Sequence, residues 1–277
     1  MTGNVRILTD SACDLPQPLA DELGIAIVPL TIRIGGTDYV DRRDLTPAEF
    51  WAKADAVDDL PSTAAPAPGQ FAEAYSSLAD EGATSIVAVC LSAELSATMQ
   101  SAELGARSFD GAPVTIIDGR TVSLAQGMIV ADCARLAAAG ADHDAVVARA
   151  NALIGSTKLW GAVDTLEYLR KGGRIGGAKA MLATALSIKP IIEVRDGRVE
   201  QGGKQRTRSK ALAFLVDKVA SYGGVGNVGV LHAACDDVDQ FVGMLGSVYG
   251  GEIVVGDIGP VVASHTGKGT IGVSFTV

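Results

Sequence analysis

Residues 85–102, SIVAVCLSAELSATMQSA, decide the fold of this chain. The first seven residues are nearly all apolar, which is typical of a strand covered on both faces of a sheet. A segment with helical periodicity, residues 94–108, follows directly. A strand that runs straight into a helix is the building unit of a parallel sheet. At this junction we expect Ser92 to cap the helix and Ser96 to lie at the end of its first turn.

The same alternation continues on both sides of this stretch. Strands are predicted at residues 5–9, 25–34, 85–91 and 114–118, and helices at 16–23, 70–81, 94–108 and 124–139. After about residue 155 we predict strands at 159–164, 228–233, 252–256 and 271–277, a hairpin at 191–199 turning at Asp196–Gly197, and helices at 209–222 and 236–249.

The predicted fold class is therefore α/β with two domains. Residues 1–157 form an N-terminal α/β domain, a mainly parallel sheet flanked by helices, and residues 158–277 form a C-terminal α/β domain with antiparallel strands. No flexible linker separates them, so we expect the domains to pack together. Their interface is then a natural place for a ligand cleft.

Composition excludes several classes of function. The chain has 277 residues, of which 48% are hydrophobic and 5% aromatic, with a net charge of −9 and a mean hydropathy of +0.27. These values exclude intrinsic disorder and give no basic footprint for nucleic acid. No apolar stretch is long enough for stable membrane insertion, and no signal peptide is visible, so we expect a cytoplasmic protein. The four cysteines and three histidines are scattered, so we expect neither a metal site nor a cofactor.

Candidate ligand contacts fall in three segments. Thr63 lies in the proline-rich segment 60–69, LPSTAAPAPG, which we expect to be stiff and extended. Ser92 and Ser96 lie at the predicted helix start, where free backbone N–H groups bind anions. His265 lies between an apolar strand and a glycine-rich turn. Each also has a structural alternative: a plain connector, a helix cap or a structural histidine.

Two basic stretches contrast with the acidic chain. One is residues 166–177, LEYLRKGGRIGG, and the other is residues 203–210, GKQRTRSK. Their cations are Arg170, Lys171, Arg174, Lys204, Arg206, Arg208 and Lys210. They are either solvated loop charges or a docking patch for a partner or a phosphate.

Six segments in this order resemble the DegV family, the fatty-acid-binding proteins that serve bacterial fatty acid kinase. They are TDSACDLP, STAAPAPGQF, LSAELSATMQSA, VDTLEYLRKGGRIGGAKA, QRTRSKAL and GPVVASHTGKGTIGV. The resemblance covers essentially the whole chain. It implies a carrier, not an enzyme, that encloses one long-chain fatty acid between its domains. Such a carrier presents the carboxylate to a separate fatty acid kinase.

The resemblance also implies roles for particular residues. Thr63 and Ser96 would contact the carboxylate, with Ser62 and Ser92 beside them, and His265 would lie near the same end. The residues expected in partner docking are Arg206, Arg174 and Arg208. We expect His265 either to donate a hydrogen bond or, when protonated, to balance the charge of the carboxylate.

This chain departs from the family pattern at several positions. Ala64, Ala65 and Ala93 stand where the family has polar residues, so we expect a thinner hydrogen-bond network around the carboxylate. Lys268 replaces a proline and would offset that loss if it pointed inward.

Two other classes of function compete with a carrier. A serine hydrolase acting on acyl esters would use Ser96 as nucleophile and His265 as base, and it needs a carboxylate to orient the histidine. A regulatory protein–protein module with an accidental pocket would carry no lipid.

Overall fold

The computed structural model describes residues 4–277, without the side chains of residues 184–187. The strands are β1 (Val5–Asp10), β2 (Ala26–Val28), β3 (Thr31–Ile34), β4 (Thr37–Val40), β5 (Ser62–Ala64), β6 (Ser85–Cys90), β7 (Val114–Asp118), β8 (Thr157–Ala162), β9 (Lys189–Arg195), β10 (Arg198–Gln205), β11 (Gly226–His232), β12 (Val254–Asp257) and β13 (Ile271–Thr276). The helices are α1 (Gln17–Glu22), α2 (Pro47–Ala54), α3 (Pro68–Asp80), α4 (Thr98–Arg107), α5 (Leu124–Ala138), α6 (His143–Ser156), α7 (Glu167–Lys171), α8 (Arg208–Ser221), α9 (Val238–Leu245) and α10 (Pro260–Thr266). Two 3-10 segments, Ser11–Cys13 and Gly176–Ser187, complete the elements.

The first sheet is parallel throughout, as predicted, with strand order β2-β1-β6-β7. Every residue of β6 is buried, because both faces of the sheet are covered. Ile86 and Ala88 belong to the cluster that includes Phe71 of α3, and Val87 and Val89 belong to the cluster that includes α5.

The second sheet has the order β10-β9-β8-β13-β11-β12 and is antiparallel except for the β11–β12 pair. This confirms the predicted antiparallel character of the C-terminal half. The β9–β10 hairpin turns at Asp196 and Gly197, as predicted, and both residues have the positive φ values that such a two-residue turn requires.

A third, three-stranded antiparallel sheet, β4-β3-β5, was not predicted. The prediction of one strand over residues 25–34 is wrong, because the chain leaves the parallel sheet after β2. Pro29 has no N–H to donate to a ladder, and the N–H of Leu30 donates to the Ser11 hydroxyl instead. β3 then pairs with β4 and with the edge strand β5.

Two predictions around the candidate site are also wrong. The helix predicted over residues 94–108 begins only at Thr98, because the N–H groups of Leu95 and Ser96 both bond the carbonyl of Ser92 in a separate turn. His265 does not lie in a loop. It belongs to α10, which Pro260 opens at the helix start, where a proline costs no hydrogen bond.

Helices α2 and α6 were also missed. α2 has a local signal in the sequence, a capping box between Thr46 and Glu49 with Pro47 after the cap. Asp142 caps α6 in the usual way.

The second sheet begins at Thr157, close to the predicted boundary between domains. Helix α5 nevertheless contacts strands of both sheets, and one core cluster includes residues of both halves, such as Ile129 and Leu231. The division into two domains, 1–157 and 158–277, stays a prediction.

Candidate functional site

A cavity of about 60 Å³, the central cavity, lies between the two halves of the chain. Residues before Thr157 contribute Ala12, Leu30, Thr63, Leu91, Leu95, Ser96 and Val122 to its lining. Later residues contribute Leu169, Arg174, Val199, Val261, Val262, His265 and Thr266. The lining is thus mainly aliphatic, with a small polar group that includes Thr63, His265 and Arg174.

The outer cavity, of about 650 Å³, adjoins the central cavity and shares Thr63, Arg174 and His265 with it. It is lined by Arg33, Gly35, Gly36, Asp59, Leu60, Pro61, Ser62, Thr63, Tyr168, Lys171, Gly172, Arg174, Ser264 and His265. Because the shared residues include both ionisable side chains of the central cavity, Arg174 and His265, its most polar end faces this larger space.

The inner cavity, of about 60 Å³, extends the apolar part of the central cavity. The two cavities share Val122, Leu169, Val199, Val262 and Thr266. The remaining lining of the inner cavity is Ser123, Leu159, Trp160, Gly161, Ile192, Val194, Leu231, Ile258, Thr270 and Gly272. No charged side chain lines it, so the three cavities form a series from a polar opening to an apolar interior.

Thr63 lies in the edge strand β5, which agrees with the extended conformation predicted for its segment. This strand brings Thr63 to the site. β5 pairs antiparallel with β3, and Thr63 lies opposite Ile32. Side chains alternate along a strand, so Ser62 and Ala64 point away from Thr63 and are exposed. Ser62 lines only the outer cavity.

His265 is held by both halves of the chain. Its Nε2 lies 2.8 Å from the Thr63 Oγ1, and its Nδ1 is buried without a hydrogen-bond partner among the described residues. Gly172 packs against the ring so closely that a Cβ there would overlap Nδ1. Burial, with a contribution from the nearby Arg174 cation, lowers the pKa of His265 to about 4. The imidazole of the unliganded site is therefore neutral near pH 7, and the role of His265 beside a bound carboxylate stays a prediction.

Arg174 is the cation that lines both the central and the outer cavity. Its Nε donates to the Leu95 carbonyl at 3.0 Å and its Nη1 to the Gly172 carbonyl at 2.6 Å. These bonds leave N–H groups of the half-buried guanidinium for a ligand. Sequence reasoning assigned Arg174 to a docking surface and missed this position, because nothing in the sequence brings it beside Thr63 and His265.

Lys268 does not supply a second cation. Its Nζ lies 3.2 Å from the Asp55 carboxylate and above the Trp51 ring, on the surface. Of the other departures from the family pattern, Ala64, Ala65 and Ala93 are absent from the linings of the three cavities.

Ser96 lines the central cavity, but it is not part of a helix. Its Oγ accepts a hydrogen bond from the Thr98 N–H at 3.3 Å and lies 2.9 Å from the Thr98 Oγ1. The hydroxyl therefore lies directly before α4 and accepts a hydrogen bond from the first N–H of that helix.

Ser92 caps no helix and lines none of the three cavities, contrary to prediction. It is fully buried, and its Oγ donates to the Gly197 carbonyl at 2.7 Å while accepting from the Glu94 N–H. Gly197 lies in the β9–β10 turn, so Ser92 ties the two halves together. Two exposed ion pairs, Glu94–Arg198 and Arg120–Asp196, each 2.9 Å, span the same junction.

The remaining docking candidates differ from each other. Arg206 is exposed and makes no ion pair or side-chain hydrogen bond within the described part of the chain. Arg208 is half-buried, pairs with both carboxylate oxygens of Asp237 and donates to the Gly269 carbonyl and Cys235. These four bonds use most of the five guanidinium N–H groups in holding the start of α8, and the docking role of Arg208 stays a prediction.

Residues 4–277 contain neither a cluster of metal ligands nor a membrane-spanning helix. No group of three or more metal-ligating side chains comes together there. None of the helices described is both long and apolar enough to cross a membrane.

Comparisons with known proteins agree with this architecture. A DegV family model matches residues 4–277. DegV domain-containing proteins of Streptomyces coelicolor and Deinococcus radiodurans are 36% and 37% identical to this chain. The alignments cover 99% and 98% of this chain, respectively, and 98% of each relative.

Solved structures give the same result. A DegV family protein from Thermus thermophilus, described as fatty acid binding, superimposes with a TM-score of 0.90 at 35% identity, covering 99% of both chains. A stearic acid-binding protein from Eubacterium ventriosum superimposes with a TM-score of 0.89 at 26% identity, covering 98% of both. The family match spans nearly the whole chain, and the relatives match over nearly their whole length. This chain belongs to the DegV family.

Proposed function

We propose that this protein binds one long-chain fatty acid between its two halves. The carboxylate lies beside Thr63, Ser96 and Arg174, and the acyl chain runs through the central cavity into the inner cavity. The observation that carries this proposal is an apolar path that ends at a hydroxyl, a neutral histidine and a half-buried arginine. Membership of a family whose structural relatives are described as fatty acid binding supports it.

The acyl chain supplies most of the driving force. Moving a methylene from water into an apolar site is worth about 0.8 kcal/mol, so fifteen methylenes offer on the order of 12 kcal/mol before the costs of binding. The inner cavity has mainly aliphatic walls and no charged side chain, as such a chain requires.

The carboxylate is the costly part, because burying an unpaired charge costs several kcal/mol. Arg174 offers a charge and free N–H groups, and Thr63 and Ser96 offer hydroxyls. A neutral His265 that donates its Nε2–H to the Thr63 Oγ1 keeps this side chain in place and leaves the Thr63 hydroxyl hydrogen free to bond the carboxylate.

Binding requires the cavity walls to move. Each apolar cavity has a volume of about 60 Å³, and even a cavity of about 150 Å³ holds only a ligand the size of benzene. A long acyl chain therefore joins the two cavities by displacing shared wall residues such as Leu169, Val199 and Val262. We expect association to be limited by this opening rather than by diffusion.

We also propose that the bound carboxylate is presented to a separate fatty acid kinase, the role that resemblance to the DegV family implies. The polar end of the site faces the outer cavity, whose 650 Å³ leave room for a phosphoryl donor to approach. Arg206, exposed at the start of the segment before α8, is the proposed contact for that partner. A protein with this role works in the cytoplasm and carries out no catalysis itself.

The geometry argues against the serine hydrolase. His265 Nε2 already bonds Thr63, and His265 Nδ1 meets no carboxylate among the described residues. Ser96 bonds Thr98 rather than the histidine. A histidine whose pKa is about 4 is moreover a weak general base.

Calorimetric titration with palmitic acid and with hexadecanol tests the proposed function. The two ligands share one chain and differ in the head group. We expect one molecule of acid per chain, and at least about tenfold weaker binding of the alcohol, because charge-assisted hydrogen bonds contribute about 1.5–3 kcal/mol. No uptake of the acid, or equal affinity for both ligands, would contradict the proposal.

A further inference from the structure

Two glycines in register form part of the wall of the inner cavity. Gly161 of β8 pairs with Gly272 of β13, at the centre of the six-stranded sheet. Their neighbours in the same cross-strand row are Ile192 of β9 and Leu231 of β11. All four residues line the inner cavity, and the two central positions of the row carry no side chain where the cavity meets the sheet.

The backbone does not require a glycine at either position. Glycine weakens a strand and often marks a bulge or a close approach by a ligand or another chain segment. The β8–β13 ladder has no register shift here, and neither glycine has a positive φ. The reason for the two glycines must therefore lie in what surrounds them.

Packing explains Gly272 but not Gly161. A Cβ on Gly272 would lie 2.8 Å from the Trp160 carbonyl oxygen and 3.3 Å from Leu231 Cγ, which is too close. A Cβ on Gly161 would lie 3.6 Å from the Ile271 carbonyl oxygen and 3.7 Å from Ile192 Cγ1, which are ordinary contacts. The protein itself thus has room for a methyl group at residue 161, and that room opens into the inner cavity.

This row also lies away from the polar end of the site. The polar residues shared with the outer cavity, Thr63, Arg174 and His265, line the central cavity and are absent from the inner one. A chain held at its carboxylate by these residues directs its methyl end towards the glycine pair.

We propose that the Gly161–Gly272 pair receives the methyl end of the acyl chain and that Gly161 determines the longest chain the protein accepts. This inference rests on the proposed function. A side chain at residue 161 fills the space of the last carbons, so it excludes long chains and leaves short ones unaffected. Each methylene excluded from the site costs about fourfold in affinity.

Gly161→Ala and Gly161→Leu, titrated with saturated acids from decanoic to eicosanoic, test the proposal. We expect the best-bound chain to become shorter with Ala and shorter still with Leu, while decanoic acid binds as in the unaltered protein. Gly243→Ala is the matched control, since Gly243 is exposed in α9, lines none of the three cavities and has no atom within 4 Å of its Cβ position. Thermal unfolding without ligand checks that each variant is folded.

Each outcome distinguishes the two proposals. If the unaltered protein binds acids and Gly161→Leu keeps the same chain-length profile, or loses all lengths equally, the role of Gly161 is wrong and fatty acid binding stands. If the unaltered protein binds none of the acids, the proposed function itself is contradicted.

Discussion

Arg174 carries the charge of the proposed site, because His265 is neutral and Lys268 is turned to the surface. We predict that Arg174→Gln weakens binding of palmitic acid by about tenfold or more, the value of a charge-assisted hydrogen bond in a partly buried site. The binding of hexadecanol should change little. Calorimetric titration of both ligands measures the difference.

Arg170→Gln is the control for this prediction. Arg170 is exposed in α7, only four positions from Arg174, and its charge pairs with Glu167. Equal losses in the two variants would mean that general charge, not the position of Arg174, governs binding.

Asp14 is a second residue whose environment has a measurable consequence. It is buried, accepts a hydrogen bond from Ser123 before α5 and another from the N–H of Gly259 before α10. Burial raises the pKa of Asp14 to about 7, well above its ordinary value of 3.8. Between these two pH values, the folded protein therefore still binds a proton at Asp14, whereas the unfolded chain has already lost it.

The contribution of Asp14 to the free energy of unfolding therefore falls as pH rises from about 4 to about 7. The slope is at most about 1.4 kcal/mol per pH unit, and above about pH 8 the contribution no longer changes. Asp14→Asn removes the titration. We predict that urea unfolding from pH 5 to 8 shows the unaltered protein losing stability relative to the variant up to pH 7. A constant difference across this range would show that Asp14 is ionised throughout. Subtracting the free energy of unfolding of the variant also removes the contributions of two other titrating groups. These are Asp10, whose pKa is raised to about 6 by burial, and His265.

Single residues were the hardest part to predict from sequence. Thr63, Ser96 and His265 stood out by their local sequence settings, the family resemblance gave them a common ligand, and the structure brings all three to one cavity. Arg174 was not assigned to it, since its contact with Leu95 joins residues 79 positions apart and no local pattern encodes that distance. Ser92 has a hydroxyl suited to a cap, but tertiary contact with Gly197 determines its role.

Among the elements, the β9–β10 hairpin has the most specific test. Gly197 has a φ of +79°, and a Cβ there would lie 2.5 Å from the Ser92 hydroxyl. Gly197→Ala therefore combines backbone strain with loss of a buried hydrogen bond between the halves. Gly223 also has a positive φ, +64°, but nothing lies within 4 Å of its Cβ position.

We predict that Gly197→Ala lowers the free energy of unfolding more than Gly223→Ala does, by about 1–3 kcal/mol, the cost of an unsatisfied buried polar group. Denaturant titration of both variants measures the excess. Equal losses would show that only the turn conformation matters and that Ser92 does not hold the halves together.

Element prediction succeeded where local rules and tertiary structure agree. The Asp-Gly turn and the apolar run of β6 specify their structures locally. The strand predicted over residues 25–34 failed at Pro29, and the helix predicted from residue 94 failed because turn contacts compete with helix formation before Thr98.

At the scale of the molecule, the α/β class and the contrast between the two sheets were predictable from alternation of strand and helix patterns. The three-stranded sheet was missed: its β3–β4 hairpin turns locally at Gly35 and Gly36, whereas β5 pairs with β3 over a long distance in sequence. That sheet nonetheless carries Thr63 to the cavity, so the missed element is part of the site.

The proposed partner also belongs to this scale. We predict that Arg206→Ala binds palmitic acid as the unaltered protein does, yet slows its phosphorylation by a fatty acid kinase, because only the contact between proteins is lost. Arg107→Ala is the control, an exposed arginine that lines none of the cavities. Loss of binding in Arg206→Ala would contradict this division of roles.

The crystal structure of the complex with palmitic acid tests the central claim most directly. We predict a carboxylate within hydrogen-bond distance of Thr63 and Arg174, an acyl chain through the central and inner cavities, and a methyl end beside Gly161. An acid bound elsewhere, with the apolar path still closed by Leu169, Val199 and Val262, would contradict the account.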